Sequence, residues 1–380
     1  MQEGAPDHAA SGTTTHVHGD SQEGAERTFP CEACGGDMRF SIGVQKLECE
    51  RCGHVVDLSV EGQVDEQDFK AMLAGLASHQ GGGSPGEKEV SCGSCGATVV
   101  FSGTLTAQDC SYCGTPIQRS DVHQAEERVP VTGMLPFKIE KDRASVNLKA
   151  WVASRWFAPN DFKRRGVTGQ FTGVYLPYWT YDSMTSNQYS GERGEYYYVE
   201  VGSGENKRRE RRTRWYPASG QFQRFFDDVL VCGVNRLPAK LMTELEPWPF
   251  EELVSFNHEM MAGYLAQTYD IPLDDGFEVA RGRMDVALRS EAKRRIGGDT
   301  QRLHSLNTQH AAITFKHLLL PVWLLGYTYK DKVYQVAINA CTGEVQGERP
   351  WSVIKIALAV MAGLCVLAIF AFFAYAKDHG

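Results

Sequence analysis

The apolar positions of this chain predict its elements in order. Residues 1–28 show no apolar periodicity, and their Gly, Ser, Thr and His content predicts a disordered N-terminus. The stretch 65–78 places Phe69, Met72, Leu73 and Leu76 at helical spacing, a short amphipathic helix with one face for a partner. Helical spacing recurs at 142–157 (Leu148, Trp151, Val152, Trp156), at 251–269 (Leu253, Met260, Met261, Tyr264, Leu265) and at 277–296 (Phe277, Ala280, Met284, Leu288, Ala292, Ile296). Strand patterns occupy 173–182, 188–201, 214–222, 319–329 and 332–340. The last stretch differs in kind: from Ile356 to Tyr375 no residue carries a charge.

Twenty apolar residues, at about 1.5 Å rise each, match a hydrocarbon core of about 30 Å. Trp351 and Tyr375 suit the two interfaces, and Arg349 and Lys355 stand on the N-terminal flank. A tail-anchoring transmembrane helix at 353–376 is therefore expected, with a buried globular helix as the alternative. The first residues, MQEGAPDHAASGTTTHVHGD, have neither a basic start nor an apolar stretch and do not read as a secretory signal. The expected location is the inner (cytoplasmic) membrane, single-pass, with the N-terminal domains in the cytoplasm.

Between these ends the composition divides the chain. One inner spacing of cysteines is used twice: Cys31, Cys34, Cys49 and Cys52, then Cys92, Cys95, Cys110 and Cys113, each set reading C-x2-C-x14-C-x2-C. A glycine follows the second cysteine of each pair, at Gly35, Gly53, Gly96 and Gly114. Such knuckles converge two thiolates on one metal, and two knuckles complete a tetrahedral site, as in zinc ribbons. Iron in a rubredoxin-like site fits the same knuckles, and disulfides are the other use of paired thiols. A reducing cytoplasm favours thiolates on metal. Two structural Zn2+ ions are expected, because four cysteines saturate a tetrahedral ion and leave no open position.

The resulting domain plan is ribbon one at 29–60, the helix and a Gly-rich linker at 61–87, ribbon two at 88–120, and an α+β domain at 130–350. That domain mixes antiparallel sheet and helix. It contains a weak internal repeat, Leu176-Pro177-Tyr178-Trp179 with Tyr189 and Leu320-Pro321-Val322-Trp323 with Tyr334, each read as sitting where a strand enters a hairpin. Asn339 to Gly343 reads as the last turn.

Catalytic motifs are missing. There is no phosphate loop, no G-x-S-x-G and no H-E-x-x-H, and Gly191-Glu-Arg-Gly194 reads as a turn. Asp274-Asp275 fits a helix start, and His304, His310 and His317 read as structural. No enzyme is expected. The net charge is −8, from 39 basic and 47 acidic residues. The first ribbon has three basic residues (Arg39, Lys46, Arg51) against five acidic ones, and the second balances Arg119 against Asp109, so neither offers phosphate contacts. One basic run exists, Lys207, Arg208, Arg209, Arg211, Arg212 and Arg214, expected in a hairpin loop and suited to a membrane surface, a polyanion or solvent.

Taken with Leu135-Pro-Phe137, Trp156-Phe-Ala-Pro159, Gly173-Val-Tyr-Leu-Pro-Tyr-Trp179, Arg224-Phe-Phe-Asp-Asp-Val229, Thr314-Phe-Lys-His-Leu-Leu-Leu-Pro-Val-Trp323 and Thr342-Gly-Glu-Val-Gln-Gly-Glu-Arg-Pro350, the paired ribbons resemble a bacterial membrane-anchored double zinc-ribbon (TFIIB-type zinc-ribbon) family. Its members are often labelled primosomal protein N-prime or superfamily II helicase-like. This chain lacks the helicase's nucleotide-binding motifs, so that label carries no ATPase with it. The resemblance implies a non-enzymatic scaffold or adaptor whose protein partner is an SPFH-domain membrane organiser. The alternative it leaves is a nucleic-acid-binding, replication-associated protein without helicase activity.

Overall fold

The computed structural model describes residues 29–58, 64–78, 88–91, 98–101, 108–109, 116–117, 122–124, 128–165, 171–202, 207–329 and 332–379. The expected disordered N-terminus, the Gly-rich linker at 81–86 and the second set of four cysteines lie outside the described residues. In chain order the elements are β1 (Met38–Ser41), β2 (Lys46–Cys49), β3 (Val55–Val56), β4 (Gln67–Asp68), α1 (Phe69–Ser78), β5 (Lys88–Ser91), β6 (Thr98–Phe101), β7 (Gln108–Asp109), β8 (Pro116–Ile117), β9 (Val122–Gln124) and β10 (Gly133–Met134). There follow α2 (Lys141–Ser154), α3 (Asn160–Arg165), β11 (Thr172–Val201), β12 (Arg208–Cys232), α4 (Ala239–Glu244), β13 (Val254–Ser255), β14 (Leu265–Gln267), α5 (Leu273–Ile296), β15 (Thr300–Tyr329), β16 (Lys332–Asn339), β17 (Val345–Gly347) and α6 (Val353–His379). This is a mixed sheet-and-helix protein with one long apolar C-terminal helix.

Two 30-residue strands, β11 and β15, run antiparallel and form its spine. β12 pairs along β11, and β16 along the C-terminal part of β15. The Leu-Pro repeat lies near the start of β11 and in the second half of β15, away from either hairpin turn, where Leu176 is the direct cross-strand partner of Leu320. Each Leu-Pro strand is preceded by helix and followed by its own hairpin partner.

The long strands escape a period-2 reading because their buried face turns polar. Odd positions of β11 face α5: Trp179 and Tyr181 pack with Phe277 and Leu273, and then Ser183, Thr185 and Asn187 are buried beneath the same helix. They are satisfied locally. Ser183 Oγ bonds His310 Nδ1 at 3.1 Å, and Thr185 Oγ1 donates to Arg224 O at 2.8 Å. Asn187 donates to Thr185 and accepts from Thr308 Oγ1 at 2.8 Å. Backbone pairing continues through this stretch, so the strand patterns at 173–182 and 188–201 are one strand.

Three expectations are overturned here. The stretch 251–269 is not a helix. It holds two 3-10 turns, β13 and β14, because Gly263 takes φ +88° and the apolar side chains are buried toward different neighbours. The basic run does not lie in a hairpin loop; Arg208 opens β12, and Arg208, Arg209, Arg211, Arg212 and Arg214 pair with Val201, Glu200, Tyr198, Tyr197 and Glu195 of β11. The apolar face of α1 is covered by its own chain. Phe69 lies tilted against Phe277 at 5.0 Å and edge-on to Tyr181 at 6.2 Å, between ring centroids, and Met72, Leu73 and Leu76 pack on the same core.

The first cysteine module is also built into the core. Met38, Phe40 and Leu47 are buried with Met260, Ala262 and Tyr175, and Phe40 N donates to Ala262 O at 3.0 Å. β6 pairs with β14 at Ala266↔Val100, so one segment, 258–267, receives a strand from each cysteine-bearing stretch.

Candidate functional site: a cysteine cluster, an arginine ribbon and an apolar helix

The hairpin of β1 and β2 brings two tight turns together. Gly35 and Gly53 adopt φ +67° and +73°, the left-handed geometry that glycine accepts most readily. Their N–H groups close back on Cys31 O and Cys49 O, each at 2.8 Å. These turns carry Cys31, Cys34, Cys49 and Cys52, whose sulfurs all lie within 4.8 Å of one another. Cys31–Cys52 and Cys34–Cys49 Sγ separations are both 3.6 Å. That is too long for a disulfide, near 2.05 Å, and close to the edge of about 3.8 Å that a tetrahedron with metal–sulfur bonds of about 2.3 Å requires. The four residues could hold a metal ion.

The thiols polarise one another. The backbone N–H of Cys52 is the main influence on Cys49 and lowers its pKa to about 7. His54 N–H favours the Cys52 thiolate, but Cys34, burial and the remaining thiols outweigh it and push Cys52 up to about 12. Elsewhere burial raises Cys232 to about 11 and Cys341 to about 12, which leaves them protonated and poor nucleophiles.

The basic residues sit where β11 and β12 outrun β15. Arg211 lies over Tyr196 at 4.2 Å, Arg209 over Tyr198 at 4.4 Å and Arg214 over Tyr197 at 5.1 Å, measured to ring centroids. Lys207, Arg208 and Arg212 are exposed beside them.

A third cluster escaped the sequence reading. Strand bulges near Asp182 place Glu66, Asp182 and Asp227 together, each offering a carboxylate oxygen within 4.8 Å of the others. Asp228 N donates to Asp182 Oδ1 at 2.6 Å, and Lys316 Nζ reaches Asp228 at 2.7 Å and Glu66 at 3.4 Å. Burial, then the neighbouring Glu66, raises Asp182 to about 7. Lys316 already supplies the cation, and its buried ammonium stays charged because Asp228, Asp182 and Glu66 together outweigh the cost of desolvation. The sequence signal was faint, since the partners come from three distant segments. His317 is buried, and its Nδ1–H donates to Val129 O at 2.9 Å.

At the opposite end of the spine, α6 leaves the domain beside α2 and α3. Ser352 N donates to Phe157 O at 2.8 Å, and Lys355 Nζ bonds Trp156 O at 3.1 Å and Ala158 O at 2.8 Å. Its stretch Val353–Phe370 is long and apolar enough to cross a membrane and is uncovered by the rest of the chain.

No family model matches the chain, and no solved structure does. It is similar to the uncharacterized protein YdjG of Bacillus subtilis (strain 168), 26% identical over 349 residues that cover 87% of this chain and 92% of that protein.

Proposed function

We propose that the chain is a non-enzymatic, tail-anchored scaffold or adaptor at the inner (cytoplasmic) membrane, with two structural zinc ribbons that recruit a protein partner. The observation that carries this reading is the closed set of four sulfurs at Cys31, Cys34, Cys49 and Cys52, held on a hairpin whose Cys31 and Cys49 belong to the core, in a chain that also carries an uncovered apolar helix. Four thiolates leave zinc no open position for water, so the metal's role is to fold and stiffen a surface. Cys92, Cys95, Cys110 and Cys113 repeat the spacing and would hold the second ion. The partner class we propose is an SPFH-domain membrane organiser, from the family resemblance.

The test is purification of the full-length protein from detergent-solubilised membranes under reducing conditions, followed by metal analysis and identification of co-purifying proteins. Two zinc ions per chain and an SPFH-type partner are expected. Protein recovered from the soluble fraction, or carrying no zinc, would refute the reading. A second reading, nucleic-acid binding, is favoured by one observation, the exposed arginine and tyrosine ladder on β11 and β12.

A further inference from the structure

The far end of the spine carries a surface that the scaffold reading does not use. β15 begins at Thr300, opposite Gly194, while β11 and β12 stay paired for seven further positions, from Glu195↔Arg214 to Val201↔Arg208. Beyond Gly194 the sheet is therefore a two-stranded ribbon, roughly 20 Å long at about 3.3 Å per residue. Strand alternation puts Tyr196, Tyr198, Arg209 and Arg211 on one face and Tyr197, Arg208, Arg212 and Arg214 on the other. The stacked guanidiniums are held in place by their rings, and a stacked guanidinium keeps its N–H edge available to an acceptor. Over residues 195–214 four glutamates, Glu195, Glu200, Glu205 and Glu210, oppose six basic residues, a local surplus of two positive charges on a protein of net charge −8.

Resting on the nucleic-acid reading above and giving it a ligand and a geometry, we propose that this ribbon binds duplex DNA, entering the major groove with its arginines reaching the phosphates on both walls. Three observations select this partner. A major groove about 12 Å wide admits a two-stranded β-ribbon, and the third strand stops where the basic residues begin. Cations and aromatic rings occupy both faces, which suits a ligand that flanks the ribbon; a flat bilayer or protein surface would engage one face and leave the other in water. The ribbon also lies at the opposite end of β11 from α6, roughly 95 Å away along the strand contour, which removes it from the headgroups around that helix.

The experiment uses full-length protein in nanodiscs of zwitterionic lipid, titrated into a fluorescent 20-base-pair duplex at several salt concentrations. Binding should weaken linearly on a log–log plot, with a slope of about −0.9 per phosphate contacted and so no steeper than about −5 for six cations. The variant R208Q/R209Q/R211Q/R212Q should bind at least tenfold more weakly at 0.1 M salt, with the slope reduced by about 3. Replacing the same four arginines with lysine should keep the slope, which separates lost charge from a misfolded ribbon. R281Q/R289Q, exposed arginines of α5, should leave binding unchanged. The proposal fails if wild-type protein ignores duplex DNA, if it binds only single strands or phosphatidylserine vesicles, or if R281Q/R289Q weakens binding as much as the ribbon variant.

Discussion

His317 should make the folded chain sensitive to acid, by an amount that its surroundings set. The ring lies inside the sheet, 4% exposed, with its centroid 4.5 Å from Trp179 and 5.5 Å from Tyr269. Burial is the main cause that lowers its pKa from 6.5 to about 4, and Arg128 adds repulsion; the bond to Val129 O opposes both. Because the folded value lies below the unfolded one, the stability is present in full above pH 6.5 and is lost as pH falls toward 4. A gap of about 2.5 pH units at 1.36 kcal/mol each is about 3 kcal/mol, a large share of the stability of an ordinary domain. The assay is urea unfolding of detergent-solubilised protein followed by tryptophan fluorescence between pH 7 and 4.5, comparing wild type with His317→Gln. Asp182, raised to about 7, has the opposite sign: its contribution falls as pH rises from about 4 to 7. Since both proteins contain Asp182, the difference between their curves isolates His317. The variant should lose most of the acid slope. Parallel curves for the two proteins would refute the assignment.

Two further outcomes test the packing. Phe40→Ala should cost about 3–5 kcal/mol and lower the unfolding midpoint of the whole domain, because Phe40 is buried beside Met260 and Tyr175 as well as in its own hairpin; a loss confined to the hairpin, seen as unchanged tryptophan unfolding, would contradict this. Gly191→Ala should destabilise by about 1–3 kcal/mol, since a Cβ there would press on the backbone oxygen of Arg302 and on Ile296 where α5 meets the spine. Thermal unfolding by circular dichroism reads the second effect, and a neutral substitution would show that the close approach relaxes freely.

The sequence was most legible where a local pattern determined the outcome. The C-x2-C-Gly knuckles predicted a convergence of sulfurs that Gly35 and Gly53 realise through their positive φ. The stretch 277–296 became α5, extended by one turn to Leu273, with Asp274 and Asp275 in its first turn as helix electrostatics favour. Asn339 anchors the last turn, accepting from the N–H groups of Cys341 and Thr342. Legibility failed where burial is decided by distant partners. The buried face of β11 becomes polar at Ser183, Thr185 and Asn187, so hydrophobic alternation stops although the strand does not. At 251–269 apolar residues at helical spacing answer to separate neighbours, Val254 through β10 and Leu265 through β11. The cluster around Lys316 joins residues 248–250 positions apart, which no local period can encode.

These same long strands bear on what the molecule can do. The core near Leu176 and Leu320, where Tyr175, Leu318 and Val322 are buried, occupies only part of the 30-residue strands. Past Asp182 the strands continue over a mixed interior under α5, where Ser183, Thr185 and Asn187 are buried together with Tyr189, Phe222 and Phe226 and with Leu288, Ala292 and Ile296 of the helix. The spine separates two ends of different chemistry: at one, Ser352 and Lys355 fasten the apolar helix to the carbonyls of Trp156, Phe157 and Ala158; at the other, arginines stack on tyrosines in water. The cysteine hairpin is fixed at the first end, on the segment that includes Met260 and Ala262. Metal binding there would therefore stiffen the base from which the spine projects, and its loss should disturb the core near the apolar helix before it reaches the arginine ribbon.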